Sequence, residues 1–593
     1  MASPTHHNVA IIGGGPIGLT SSILLSLCGI SNAVFERHPD TSIHPKACGI
    51  NQRTTEIFRT MGIEDEVYAH AAPPEIASRT AWYTSLGPSG REIVSRDAWG
   101  GGIYEDEYKL HSPSRYCILP QIRLEPILKR RAIELNPSGI HYSSEVTDMQ
   151  QDNNGVTLTV RRNDTPQTIR ARYVIVSDGG RSFTNHLSIP WHGHPNIFDM
   201  VTVHFKSPLR TLHPDPRNFM TWFSNPELGG STKTGYLYQV GPWPHVQPPD
   251  PHNDEWVFAC ARTENDPERF DHQAMVKRLR RTLAIPDLPI DILSFSHWTV
   301  NAIYAARYRV NRAFLVGDAA HRIPPWGALG MNTGIQDAQN LVWKLQFALQ
   351  DEVKYDALLD SYEIERLPIG KRVGETSLHN MLSHANVMDV AAGLDGEKSV
   401  EWNKSSIESA FDKGHPGYRA KRDAIDRAQR VLDTEFKAPG YEVGWFYDCV
   451  DGSGEGGDTH GGQLLEDGSL NYGVYVKSTI PGHHVPHAWL ERGGVRCAVF
   501  DLLALDRLLL IAGRRGWEEL GDERVKYEVI GEGEWEDVEG EWARGCGVGR
   551  DGAVLVRPDG IVAWRGERKD LTPESWRALI DKVLCCEDVD RHS

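Results

Sequence analysis

The residues best placed to do chemistry lie near the start of the chain. Gly13, Gly15 and Gly18 of the run Gly13-Gly14-Gly15-Pro16-Ile17-Gly18 keep the spacing G-x-G-x-x-G, directly after the apolar stretch Val9-Ala10-Ile11-Ile12. The first glycine permits a tight turn, the second lets a pyrophosphate approach the backbone, and the third lets a helix pack closely on the strand. The helix that follows would offer free N–H groups and its positive dipole end to the phosphates. Glu36 ends the next strand, 18 residues beyond Gly18, where a carboxylate can accept hydrogen bonds from a ribose diol. Arg37 beside it would suit a 2′-phosphate, but Glu36 would repel that group, so the pair favours an adenosine ribose without phosphate, as in FAD.

The elements that must position these residues follow from the apolar pattern. A strand, an apolar helix to about Cys28 and the strand Ala33-Val34-Phe35 form a βαβ opening. From about Phe183 to Trp298 short β-like runs such as Met200 to Phe205 and Thr234 to Val240 alternate with Pro/Gly/Asp turns. Strand and helix then return, with Ala313-Phe314-Leu315-Val316 leading to a helix whose apolar positions Ile335, Ala338, Leu341, Val342 and Leu345 keep helical spacing. A Gly-rich stretch at 451–462 precedes a last alternation of strands and helices that includes a hairpin around Pro558-Asp559-Gly560. The fold expected is α/β with an α+β substrate insert. Residues 1–182 would begin a Rossmann-like dinucleotide-binding domain, 183–300 a β-sheet substrate domain, 301–435 the completion of the first domain with a helical segment, and 436–593 a small C-terminal α/β domain.

Composition excludes several classes. At 593 residues the chain exceeds one core, and its net charge of −17 argues against nucleic acid or anionic lipid as a partner. Nine cysteines include no CxxC pair and no zinc spacing, which fits a reduced, cytoplasmic compartment. The apolar segment from Asn8 to Ile30 has no basic leader and is glycine-rich at its start, so it reads as strand and helix and not as a signal or membrane anchor. His483, His484 and His487 could suggest a metal, yet Pro486 breaks the helix their spacing would need, and a loop at a domain surface is expected instead.

Three further segments carry a family likeness. They are Tyr173 to Ser182 with its Asp178-Gly179 pair, the run Gly317-Asp318-Ala319-Ala320-His321-Arg322-Ile323-Pro324-Pro325-Trp326-Gly327-Ala328-Leu329-Gly330-Met331-Asn332, and Pro45 to Phe58 with Pro120 to Leu128 beyond it. Together they resemble the flavoprotein aromatic hydroxylases of the para-hydroxybenzoate and phenol hydroxylase type. The resemblance implies that Asp178 helps hold the cofactors, Asp318 binds the ribityl region of FAD, and Pro325 sits near the flavin carbon that carries the peroxide. It also implies that the amides of Gly330, Met331 and Asn332 face the pyrimidine edge of the ring, that Arg53 contacts the pyrophosphate and that Gln121 contacts the ribityl chain. A helix N-terminus at that edge would stabilise the charge of reduced flavin. The C-terminal region resembles the thioredoxin-like domain of the phenol hydroxylase branch, without redox activity since it has no CxxC. Where the phenol hydroxylases carry an aspartate near the substrate, this chain has Cys48, so the general base is left unassigned.

What the resemblance implies is an FAD-dependent monooxygenase that takes NADPH or NADH and O2 and hydroxylates a phenol or aromatic polyketide through a flavin C4a-hydroperoxide. Most of that chemistry is the cofactor's, and the protein must orient the ring and exclude water. Trp222, Tyr236, Tyr238 and Trp298 are candidate pocket residues on the β-rich insert, with sheet packing as the equal alternative. A Baeyer–Villiger or decarboxylating oxygenase and a flavin-free binding module are the alternatives. The expected partners are a small aromatic molecule and oxygen, with a homodimer left open.

Overall fold

In the computed structural model the described residues are 5–243, 250, 253–263, 266–448, 457–532 and 535–586. The first half of the Gly-rich stretch at 451–462 lies outside them. The opening strand Thr5–Ile12 pairs in parallel with Asn32–Phe35 on one side and Thr165–Val176 on the other, and Ala313–Leu315 adds in parallel beyond that. Helices cover the sheet, so its central residues Val9, Ala10, Ile11, Val34, Val174 and Ile175 are fully buried, which is why these strands read as continuous apolar runs. Two elements far apart in sequence, 174–176 and 313–315, thus become neighbours and carry their following loops to the same end of the sheet.

The second sheet has seven strands in the order 291–299, 199–206, 255–261, 236–241, 220–223, 79–83 and 92–97. Its last two strands come from the first segment of the chain, so the substrate sheet is not confined to 183–300. Arg79–Tyr83 pairs in parallel with Met220–Phe223, a non-local partnership that no turn or spacing announces. The side chains alternate between two cores. Leu237, Phe223 and Phe258 face the helix His272–Leu283, whereas Trp222, Tyr238 and Val257 face the cluster toward the flavin-type domain.

Two long helices, Leu329–Ala348 and Asp356–Ser383, pack on the first sheet. The C-terminal sheet runs 525–529, 508–512, 552–556, 562–567, with the first pair parallel and the rest antiparallel. With the closing helix Pro573–Val583 this is the strand order of a thioredoxin-like domain. Its hairpin turn drives Arg557 into the long helices, where Nη1 meets Glu365 at 2.6 Å, and Asn340 donates to Asp559 at 3.1 Å. His483, His484 and His487 are buried at this junction and not on a surface loop. His483 stacks on Phe446 and His484 meets Trp445 edge-on, and burial lowers His483 and His487 to about 3, so they pack as neutral rings. Among the described residues no group of His, Cys, Asp and Glu could hold a metal, and no helix is long and apolar enough to cross a membrane.

Candidate active site

The glycine turn is built as tightly as its sequence suggests. Gly13 has φ +107°, a backbone only glycine adopts freely, and a Cβ there would lie 2.4 Å from the Ser177 carbonyl oxygen. A Cβ on Gly18 would lie 2.0 Å from the Gly13 carbonyl oxygen, so helix and turn touch through that position. Gly15 differs: nothing stands within 4 Å of a Cβ placed on it. The helix Pro16–Leu27 starts at Gly15 with no side chain capping it. An open approach to a bare helix N-terminus fits a pyrophosphate.

Glu36 is fixed beside this turn, its Oε2 accepting from Gly14 N and its Oε1 from His38 N, both at 2.8 Å. Each oxygen keeps a lone pair, so the carboxylate can still receive a ribose hydroxyl. Arg37 is exposed and directs Nε to His38. Asp178 accepts from the amides of Gly180, Ser182 and Phe183 at 2.9, 2.9 and 3.1 Å, closing its own loop. That loop rests on the next motif, since a Cβ on Gly180 would lie 2.3 Å from the Asp318 carbonyl oxygen.

Asp318 is open to solvent yet surrounded by protein, as a group on the floor of a recess is. That enclosure raises its carboxyl above the usual range, and His321, Lys46, Arg322 and Arg181 offset the rise. Pro325 is exposed beside it in sequence, whereas Pro324 is buried. The helix Leu329–Ala348 begins at Ala328 in a left-handed conformation, φ 54°, again with no side-chain cap. Gly330 is half-buried, and Met331 and Asn332 are buried. The Asn332 side chain staples this helix end to the strand Gly49–Ile50, accepting from Asn51 N at 3.0 Å and donating to Gly49 O at 3.0 Å. An enclosed acid and a second bare helix end fit the sugar-alcohol chain and electron-rich edge of a flavin.

Arg53 does not fit its expected role. Its guanidinium is buried and fully engaged, donating to both Glu56 oxygens, to the Val443 carbonyl and to Tyr475 Oη, so no N–H remains for a phosphate. Lys46, exposed and held at φ 47°, is one of the cations near Asp318, with Arg322 and Arg181. Gln121 starts the helix Gln121–Leu135 and donates its amide to Glu125, and its carbonyl oxygen accepts no hydrogen bond among the described residues.

Cys48, Trp222, Tyr236, Tyr238 and Trp298 all join one apolar cluster with Trp326, the residue after Pro325. Tyr236 meets Trp326 edge-on at 6.1 Å and packs on Trp222 at 4.9 Å, so an aromatic wall runs from the Pro325 loop into the seven-stranded sheet. Trp222 and Trp298 are tied by Nε1–H to Thr80 and Thr202, and Tyr238 donates to the Lys46 carbonyl at 3.1 Å. Burial pushes the Cys48 thiol up to about 12, so it is a neutral apolar neighbour and no thiolate.

Several residues of this region carried no signal in the sequence. Lys46 is one lysine among many, and Tyr116 is set against Gly49 and Ala328, its hydroxyl 2.3 Å from where a Gly49 Cβ would lie. His384 packs tilted against Trp222 at 4.0 Å and bonds through Nε2 to Glu435 at 2.8 Å. It opens a π-turn at 384–389, and its partner is 51 residues away, so neither spacing nor motif could pair them.

Fold and site together define a flavoprotein oxygenase with an aromatic cluster beside the Pro325 loop. The chain belongs to the FAD-dependent aromatic-ring hydroxylase family: residues 6–377 match the family described as FAD binding domain, and 478–584 the one described as aromatic-ring hydroxylase, C-terminal. It is 32% identical to phenol 2-monooxygenase of Pseudomonas sp. (strain EST1001), covering 98% of this chain and 92% of that one. It is also 32% identical to tetracenomycin A2 monooxygenase-dioxygenase of Streptomyces glaucescens, over 97% and 96%. Among solved structures it resembles the flavin-dependent monooxygenase PieE in complex with FAD and substrate, with TM-score 0.87, 30% identity and coverage of 98% and 100%. The protein is thus an FAD-dependent monooxygenase that hydroxylates aromatic substrates, and the flavin-free binding module is set aside.

Proposed function

We propose that the substrate is a fused-ring phenol of the aromatic polyketide kind, with NADH or NADPH as reductant and oxygen as co-substrate. The observation that carries this is the length of the aromatic wall from Trp326 through Tyr236 and Trp222, with Tyr238 and Trp298 on the same sheet face. Flat rings stack on such a surface over more area than a single phenol ring offers. Relatives named for tetracenomycin and for polyketide hydroxylation support the reading. In the balanced reaction an aromatic C–H becomes C–OH, the second oxygen atom leaves as water, and NAD(P)H with one proton supplies the electrons.

FAD, when bound, would supply the oxygen activation, and the chain's residues would hold it and its substrate. Gly13, Gly15 and Gly18 would seat the pyrophosphate and Glu36 the adenosine ribose, with Lys46 supplying the charge that Arg53 cannot. Asp318 and the Gln121 carbonyl would receive ribityl hydroxyls, and the amides of Gly330, Met331 and Asn332 would face the pyrimidine edge. Asp178 shapes the loop beneath them, and Pro325 with Trp326 would separate the reacting carbon from water. Burial keeps the Tyr236 hydroxyl protonated, so it would donate a hydrogen bond to the substrate and not act as base.

The test is the visible spectrum of the purified protein, followed by NAD(P)H consumption and product analysis with single-ring phenols and with fused-ring phenols. Consumption coupled to an oxygenated product, with kcat/KM at least about tenfold higher for fused rings, about 1.4 kcal/mol of selectivity, is expected. Equal or better turnover of single-ring phenols would overturn the polyketide assignment.

A further inference from the structure

The C-terminal domain reaches the long helices through two buried side chains of its hairpin turn, Arg557 and Asp559. The Arg557 guanidinium lies between two carboxylates. It donates through Nη1 and Nη2 to Glu365 at 2.6 and 2.9 Å, and through Nε and Nη2 to Asp559 at 3.0 and 2.6 Å. Glu365 belongs to the helix Asp356–Ser383 and also accepts from Asn340 and Lys344 of the helix Leu329–Ala348, both at 2.7 Å. Asn340 donates in addition to Asp559 at 3.1 Å and to Tyr447 Oη at 3.2 Å. One hairpin turn thereby holds both long helices at once.

Tyr447 Oη is the next joint, since it accepts from Arg366 Nη1 at 3.1 Å as well as from Asn340. Arg366 continues to Asp337 at 2.7 Å, and Asp337 accepts from His321 and from the amide of Gly317, the residue before Asp318. An unbroken run of hydrogen bonds thus leads from Arg557 to the backbone of the Asp318 loop. Lys344, Arg366 and Asp337 are fully buried, and three cations, Lys344, Arg366 and Arg557, balance three carboxylates, Asp337, Glu365 and Asp559. Such a balance is costly to disturb in a low-dielectric junction, because removing one partner leaves a charge without its counter-ion. Burial alone would raise the Glu365 carboxyl, yet Arg557 and Lys344 hold it well below the usual carboxylate range.

We infer that Arg557 is a positioning residue of the flavin site: it fixes the Asp318 loop through Glu365, Asn340, Tyr447, Arg366 and Asp337, so that FAD binding and docking of the C-terminal hairpin stabilise each other. The inference rests on the reading that the Asp318 loop receives the ribityl chain. Coupling of this kind is reciprocal, so whatever the hairpin contributes to FAD affinity, bound FAD returns to the hairpin. It gives the C-terminal domain, which carries no CxxC, a part in holding the cofactor.

The test compares amide hydrogen exchange of the full chain with and without FAD. The Arg557 and Gly560 amides, which close the hairpin onto the Ile561 and Arg557 carbonyls, should slow by about fivefold or more on FAD binding, beyond any change in the edge strand Val525–Val529. Arg557→Met should weaken FAD binding by about tenfold and remove that protection, whereas Arg557→Lys, which keeps a cation for Glu365, should lose less. Ile530→Ala, in a separate core of the same domain, should lower the unfolding temperature and leave the FAD dissociation constant unchanged. Hairpin exchange indifferent to FAD in wild type would overturn the inference even if Arg557→Met failed to fold, and so would an equal loss of FAD affinity in Ile530→Ala and Arg557→Met. Asp318→Ala binding FAD as tightly as wild type would instead overturn the placement of the ribityl chain, and the coupling with it.

Discussion

Asp337 locks His321 in place: its Oδ2 accepts from His321 Nε2 at 2.8 Å, and both side chains are fully buried. The same oxygen accepts from the Gly317 amide at 3.1 Å, and Oδ1 accepts from Arg366 Nε at 2.7 Å. One carboxylate thus ties the loop that carries Asp318 to both long helices. His321, the histidine of the Asp318 motif, keeps an unpartnered Nδ1, but the ring is fully buried and out of contact with solvent. Asp337→Asn would leave Arg366 buried and short of its counter-ion, a change that costs about 3–5 kcal/mol in comparable buried pairs. We expect a lower unfolding temperature together with loss of FAD on gel filtration. Retention of both would show that the loop is held by other contacts.

Two glycines of the turn should separate when each is tested. Gly15→Ala places its methyl in open space at φ −77°, so the apoprotein should unfold within about 0.5 kcal/mol of wild type while FAD affinity falls, because the methyl occupies the phosphate's approach. Gly18→Ala drives its methyl into the Gly13 carbonyl and should destabilise the apoprotein itself by about 1–3 kcal/mol. Denaturation of the apoproteins beside flavin titration would distinguish the two. Equal behaviour of both variants would contradict the assignment of Gly15 to the pyrophosphate.

Lys46 should likewise carry the part first expected of Arg53. Lys46→Met removes an exposed cation with no ion pair among the described residues, so it should weaken FAD binding roughly tenfold with little change in apoprotein stability. Arg53→Met leaves Glu56 buried without its cation and should lower the unfolding temperature of apo and FAD-loaded protein alike. A larger loss of flavin affinity in Arg53→Met at equal stability would restore the original assignment.

Legibility divides along the range of the interaction involved. The glycine turn, Glu36 and the Asp318 loop could be read because a strand, a turn and a helix N-terminus are local, and their residues must stand at fixed intervals. The strands Arg79–Tyr83 and Glu92–Asp97 could not be assigned to the substrate sheet, since the strand that joins the first of them to it, Met220–Phe223, lies some 140 residues on. Arg53 was misread for the same reason, because Val443 and Tyr475, which consume its donors, belong to a distant part of the chain. The histidines at 483, 484 and 487 looked solvent-facing by type, yet domain packing buried them, His483 against Phe446, His484 against Trp445 and His487 against Trp489. Residue type announces what a side chain can do, and only the long-range fold decides whether its bonding capacity is left over for a ligand.

Glu442 shows how that packing should register as pH dependence. The residue is 5% exposed, its Oε1 receives only a long hydrogen bond of 3.3 Å from Tyr108, and its Oε2 has no partner. Burial raises the carboxyl to about 7, with backbone and Tyr108 hydrogen bonds opposing the rise. A group whose folded value lies above its unfolded value of about 4.3 stabilises the fold fully below that unfolded value, and the contribution is lost as pH rises through about 7. The loss amounts to about 4 kcal/mol across that window. Glu442→Gln keeps the shape and cannot ionise, so its unfolding temperature should rise relative to wild type between pH 4 and pH 8, with the advantage levelling off above about pH 8. Thermal scans of both proteins across that range provide the check, and parallel profiles would mean that the Glu442 carboxylate finds a partner when it ionises.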